Sequence, residues 1–145
     1  MKKILSILFI SVILFSCSDG DKRYHIDEVA IPNDTLAYLK SDMSLLNNGV
    51  VYCEFGELGK FINGLGKGRH KRWYENGQLR YEGNYKDGKK DGVHKGWREN
   101  GQLEHEGNYI DGKEDGVHKV WWENGQLWYE KNYKYGEDQK DEGIY

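Results

Sequence analysis

The sequence predicts an all-β protein: an extended antiparallel meander of β-hairpin repeats, forming a single twisted sheet with one aromatic face. Three observations predict it. Residues 68–91, 92–115 and 116–139 align without gaps at a 24-residue period, each holding the string Glu-Asn-Gly-Gln-Leu. Such self-similarity sets the architecture before any finer reading. Each unit carries two turn signals. Glu75-Asn76-Gly77 recurs as Glu99-Asn100-Gly101 and Glu123-Asn124-Gly125; Lys86-Asp87-Gly88 recurs as Ile110-Asp111-Gly112 and drifts to Lys134-Tyr135-Gly136. Gly after Asn or Asp supplies the positive φ of a tight hairpin turn. Finally, the 145 residues include 19 Gly but 1 Pro, with 11 Tyr and 5 Trp, a composition for short strands and tight turns.

The N-terminus reads as an address. Met1-Lys2-Lys3 precedes an apolar run over residues 4–15, too short to span a bilayer but suited to a secretory signal core. Leu14-Phe15-Ser16-Cys17 resembles a bacterial lipobox, so residues 1–16 read as a lipoprotein signal peptide and Cys17 as the acylated new N-terminus. That resemblance implies a membrane-anchored envelope protein. Ser18, a non-Asp residue after the Cys, implies sorting to the outer membrane. Removal of Lys2 and Lys3 leaves 19 basic against 24 acidic residues, a mature charge of −5. No general attraction to nucleic acid follows from that balance. With Cys17 acylated, Cys53 has no disulfide partner in the chain and reads as a small packed residue.

Residues 17–43 read as a lipid-anchored tether broken at Pro32-Asn33-Asp34. Leu36, Leu39 and Met43 have the spacing of a short helix that covers one sheet end. A repeat domain spans 44–139, with a degenerate opening hairpin over 44–67. An acidic tail, 140–145, suits the capping of an open sheet edge.

Side-chain pairing selects the loop length. A three-residue loop with Gly77 as the bulge residue places Trp73 opposite Leu79 and gathers apolar residues. In that register the odd positions share a face: Trp73, Leu79, Tyr81, Tyr85, Val93, Trp97, Leu103, Tyr109, Val117, Trp121, Leu127, Tyr129 and Tyr133, with Lys71, Lys95 and Lys119 at its rim. The same register sets His70 opposite Glu82, His94 opposite Glu106 and His118 opposite Glu130, three cross-strand pairs. The recurring His do not read as metal ligands. Equivalent residues lie two strands apart, roughly 9.6 Å, whereas zinc takes His nitrogens at about 2.0–2.1 Å.

The Trp-x-Glu-Asn-Gly-Gln-Leu core, followed by Glu-x-Asn-Tyr and Asp-Gly-Lys, resembles the MORN-repeat variant of bacterial proteins. Leu46-Asn47-Asn48-Gly49 and Phe61 to Gly64 look like its degenerate first unit. Many relatives are labelled toxin–antitoxin antitoxins, which implies an antitoxin or immunity alternative. The repeat itself implies a binding scaffold, not an activity.

The chain carries no Ser or Thr from Asn47 to Tyr145, so a hydroxyl nucleophile is absent there. The glycines of Gly64-Leu65-Gly66-Lys67-Gly68 have neither phosphate-loop nor dinucleotide spacing. The reading is a non-enzymatic protein without cofactor or metal. Interface candidates are even-numbered positions that vary between units: Tyr74, Arg98 and Trp122 in one series, Arg80, Glu104 and Trp128 in the other. A protein partner is expected. Glycan binding by Trp and Tyr platforms is a further alternative, and open sheet edges offer self-association.

Overall fold

A computed structural model describes residues 21–32 and 36–139. The expected signal peptide over 1–16, Cys17, Ser18 and the tail 140–145 lie outside these residues. The fold is one long sheet whose consecutive strands pair, built as a meander. Its strands are β1 (Lys22–His25), β4 (Asn48–Cys53), β5 (Gly56–Ile62), β6 (Leu65–Trp73), β7 (Leu79–Lys86), β8 (Lys89–Trp97), β9 (Leu103–Ile110), β10 (Lys113–Glu114), β11 (Gly116–Trp121), β12 (Leu127–Lys134) and β13 (Glu137–Asp138). All pairings are antiparallel except β1, which lies parallel on β4. A small separate ribbon pairs β2 (Val29–Ala30) with β3 (Tyr38–Leu39).

The two turn families match their sequence signals. At the Asn-Gly turns, Gly77, Gly101 and Gly125 all have φ of 81°. Asn76 Oδ1 accepts from the Gln78 backbone N–H at 2.9 Å, and Asn100 and Asn124 do the same to Gln102 and Gln126. The other turns hold two residues of positive φ, such as Asp87 at 51° and Gly88 at 78°, the primed geometry that follows strand twist.

Trp73 faces Leu79 as expected, and Trp97 and Trp121 face Leu103 and Leu127. The next pair corrects the expected register. Arg72 faces Tyr81, not Arg80, because a bulge inserts one residue. A one-residue slip reverses the faces of everything beyond it. His70 therefore faces Gly83, His94 faces Gly107 and His118 faces Lys131. The expected His–Glu pairs are not formed. Glu82, Glu106 and Glu130 instead face Lys71, Lys95 and Lys119, at 4.0, 2.7 and 3.4 Å between charged atoms. These six residues form an alternating charge row across six strands, with Lys95 also facing Glu82 and Lys119 facing Glu106. Nor do the odd positions share one face throughout. Val93 and Val117 are exposed and join the charged face with the lysines, while the Tyr of the return strands share the other face with the His.

In its described residues, 21–32 and 36–43, the stretch read as a tether caps the first end of the sheet. Val29, Ala37 and Leu46 pack with Val51, Leu58 and Phe61 into the apolar core, flanked by Ile26, Cys53 and Trp73. No helix forms over Ala37–Met43. Leu39 N–H donates to the Ser44 carbonyl, and Ser44 N–H and Oγ both donate to Asp42 Oδ1. That local side-chain bonding favours a turn over a helix.

Candidate binding surfaces

The ring-bearing face is organised by glycine. Each His ring lies over a Gly of the preceding strand: a Cβ at Gly59 would stand 2.5 Å from His70, at Gly83 2.1 Å from His94, and at Gly107 2.3 Å from His118. These three glycines are themselves 24 residues apart. Flat on the sheet, the His rings interleave with Phe61, Tyr85, Tyr109 and Tyr133. The result is a seven-ring column, Phe61–His70–Tyr85–His94–Tyr109–His118–Tyr133, with successive centroids 4.8–5.4 Å apart. Phe61 lies one period before Tyr85, so the opening hairpin starts the column.

Backbone carbonyls hold the rings. The Nε2 atoms of His70, His94 and His118 donate to the carbonyls of Lys60, Asn84 and Asn108 at 2.9, 2.8 and 2.7 Å. At His94 the other nitrogen accepts from the Tyr81 hydroxyl, which lies 3.0 Å from the Tyr85 hydroxyl. Burial pushes His94 down to about 4, against the pull of the Asn84 carbonyl; burial also raises Tyr81. His94 is thus a neutral packing residue at neutral pH. Its nearby charged and titratable groups are Lys90, Asp91, His105 and the three tyrosines.

The structure joins the six interface candidates into three pairs at the Asn-Gly edge. The Arg80 guanidinium lies 5.6 Å from the Tyr74 ring, Arg98 Nη1 is 2.8 Å from Glu104 Oε1, and Trp122 and Trp128 have centroids 4.9 Å apart. One geometric slot therefore takes a cation–π pair, an ion pair or an aromatic pair. Tyr74 and Arg98 have a second role that sequence variation did not reveal: each clasps the next repeat. Tyr74 Oη donates to the Trp97 carbonyl at 2.7 Å and Arg98 Nη2 to the Trp121 carbonyl at 2.8 Å. Trp122 and Trp128 are 50% and 59% exposed, an aromatic pair open to solvent on the last repeat.

An open cleft of about 840 Å³ lies at the first junction between repeats. Trp73, Tyr74, Arg80 and Tyr81 line it from the first repeat and Trp97, Glu104 and His105 from the second, with Arg72, Lys89 and Lys90 among its cations. Lys90 Nζ stands 4.7 Å from the Tyr109 ring centroid and 5.8 Å from that of Tyr81. Sequence reading passed over Arg72 and Lys90; comparing the three units at those positions would have singled them out.

A stitched Asn-Gly edge, one glycine-seated ring column and a repeated hairpin define a tandem β-repeat scaffold. Residues 67–87, 90–111 and 114–135 each match the MORN repeat variant family. The chain thus carries three consecutive copies of the MORN repeat variant over residues 67–135. No curated protein and no solved structure matches it. Its repeat class is a non-catalytic one associated with protein or membrane binding.

Proposed function

We propose that this protein is a non-enzymatic module of the bacterial cell envelope, anchored to the outer membrane through acylated Cys17, that presents its sheet to a protein partner. The anchor rests on the lipobox resemblance. The observation that carries the binding reading is the Trp122–Trp128 pair. These are two large, half-exposed aromatics in the slot whose counterparts Tyr74 and Arg98 clasp a following repeat. Aromatic residues of this kind anchor protein interfaces.

Proximity crosslinking of the tagged full-length lipoprotein in native envelopes tests it. One dominant protein is expected, lost in Trp122→Ala/Trp128→Ala while the circular dichroism spectrum is kept. No enrichment over a mislocalised Cys17→Ala control sinks the proposal. A toxin as the captured protein would turn the reading to immunity, the alternative implied by the family resemblance.

A further inference from the structure

We infer that the cleft at the first repeat junction is a binding site for an acidic saccharide, a sugar chain carrying carboxylate groups. The chain is net negative, yet Arg72, Arg80, Lys89 and Lys90 line this cleft against a single carboxylate, Glu104. Lys89 is held by Asp111 at 2.8 Å, and Arg80 rests on the Tyr74 ring with no acidic partner among the described residues. The repeats supply their own control. Arg72, Arg80 and Lys90 become Gly96, Glu104 and Glu114 one period later, then Val120, Trp128 and Asp138. The scaffold is unchanged, so it does not demand Arg80 or Lys90, while Arg72 Nη1 also donates to the carbonyls of Lys71 and Leu58. The cations are concentrated at one junction.

The walls choose among anions. Trp73, Tyr74 and Trp97 offer ring surface, against which the C–H face of a pyranose packs by dispersion. The strands around the cleft are already paired on both sides, which leaves no edge for a peptide to extend. The cleft volume lies within the usual range for small-ligand sites. Cations beside aromatic platforms suit a carboxylated sugar better than a neutral one. This site is separate from the Trp122–Trp128 patch.

The test is calorimetric titration of the full-length chain in detergent with a galacturonate tetramer and with the neutral galactose tetramer. The acidic sugar is expected to bind at least tenfold more tightly and to change tryptophan fluorescence, and its binding to weaken with added salt. Arg80→Glu/Lys90→Glu, which installs the residues of the second repeat, should weaken binding at least tenfold. Arg80→Ala, an exposed single change, should weaken it at least threefold and serves if the double variant does not fold. Trp122→Ala/Trp128→Ala should bind the sugar as wild type does, so loss of the protein partner and loss of the sugar are separable. Equal affinity for the two tetramers, no binding of either, unchanged binding by Arg80→Ala, or binding only to phosphatidylglycerol vesicles overturns the inference.

Discussion

The two ends of the sheet are built on the same 24-residue plan and finished in opposite ways. At the first end, Gly59 seats His70, Phe61 starts the ring column, and Val29, Ala37 and Leu46 pack with Phe61 in the apolar core. Phe61 is fully buried and His70 is 1% exposed. At the last described unit, Lys131 occupies the position of Gly83 and Gly107, and Glu142 stands where the next His would fall. Lys131 pairs with Asp138, and Tyr133 ends the column half-exposed. The difference teaches how such an array is terminated. A repeat buries its face only against a neighbour, so the ends need different residues from the middle. Here the first end is capped by apolar chain. The last described unit replaces the glycine seat with a charged side chain, which suits a sheet flank facing water.

The largest effect that sharpens this contrast is at Phe61. Phe61→Ala should cost about 3–5 kcal/mol, as expected for a buried aromatic, measured by urea unfolding. Tyr133→Ala, at the other end of the column, should lower the midpoint by less than half as much. Equal losses would mean that the column is not anchored from its first end. The glycine seats come next. Gly83→Ala places a methyl group 2.1 Å from the His94 ring, which Tyr85 and Tyr109 hold from both sides. A loss of about 2–3 kcal/mol is expected. At the equivalent Lys131, Ala should cost less than half as much, since only an exposed ion pair to Asp138 and a cation–π contact with Tyr129 are lost. A harmless Gly83→Ala would show that the His ring has room to move.

The smallest effect is pH dependence. His94 in the fold sits near 4, below its ordinary 6.5, so between these values the unfolded chain binds the extra proton. Stability from His94 is therefore fully present above pH 6.5 and lost as pH falls toward 4. The slope approaches about 1.4 kcal/mol per pH unit and the total is about 2–3 kcal/mol. Urea midpoints of wild type and His94→Gln across pH 4–7 measure it. The wild-type curve should be the steeper over this window. Parallel curves would mean that His94 accepts a proton in place.

Much of the scaffold was legible in the sequence because its causes are local. Asn76-Gly77 and Asp87-Gly88 specify turns through the φ they tolerate, and the Trp73–Leu79 pair follows from the loop. The candidate pairs Tyr74–Arg80, Arg98–Glu104 and Trp122–Trp128 were visible as variable positions, though not as partners. The inter-repeat clasps were hidden, since a hydrogen bond from Tyr74 to the Trp97 carbonyl leaves no mark in composition. The cap was hidden as well. Val29, Ala37 and Leu46 sit in short apolar runs of a stretch whose spacing read as a tether with a short helix, and only burial against Phe61 gives them a role.

By itself, then, the sequence determined the 24-residue period, the turns, the hairpin meander and the repeat family. Only the tertiary structure decided which side chains share a face. The bulge after Leu79 moves the pairing by one residue, and strand side chains alternate with a period of two. One extra residue thus sends Lys71 to Glu82 and sets His70 against Gly83. Whether a bulge forms depends on how rings pack across neighbouring strands, a contact between residues distant in the chain.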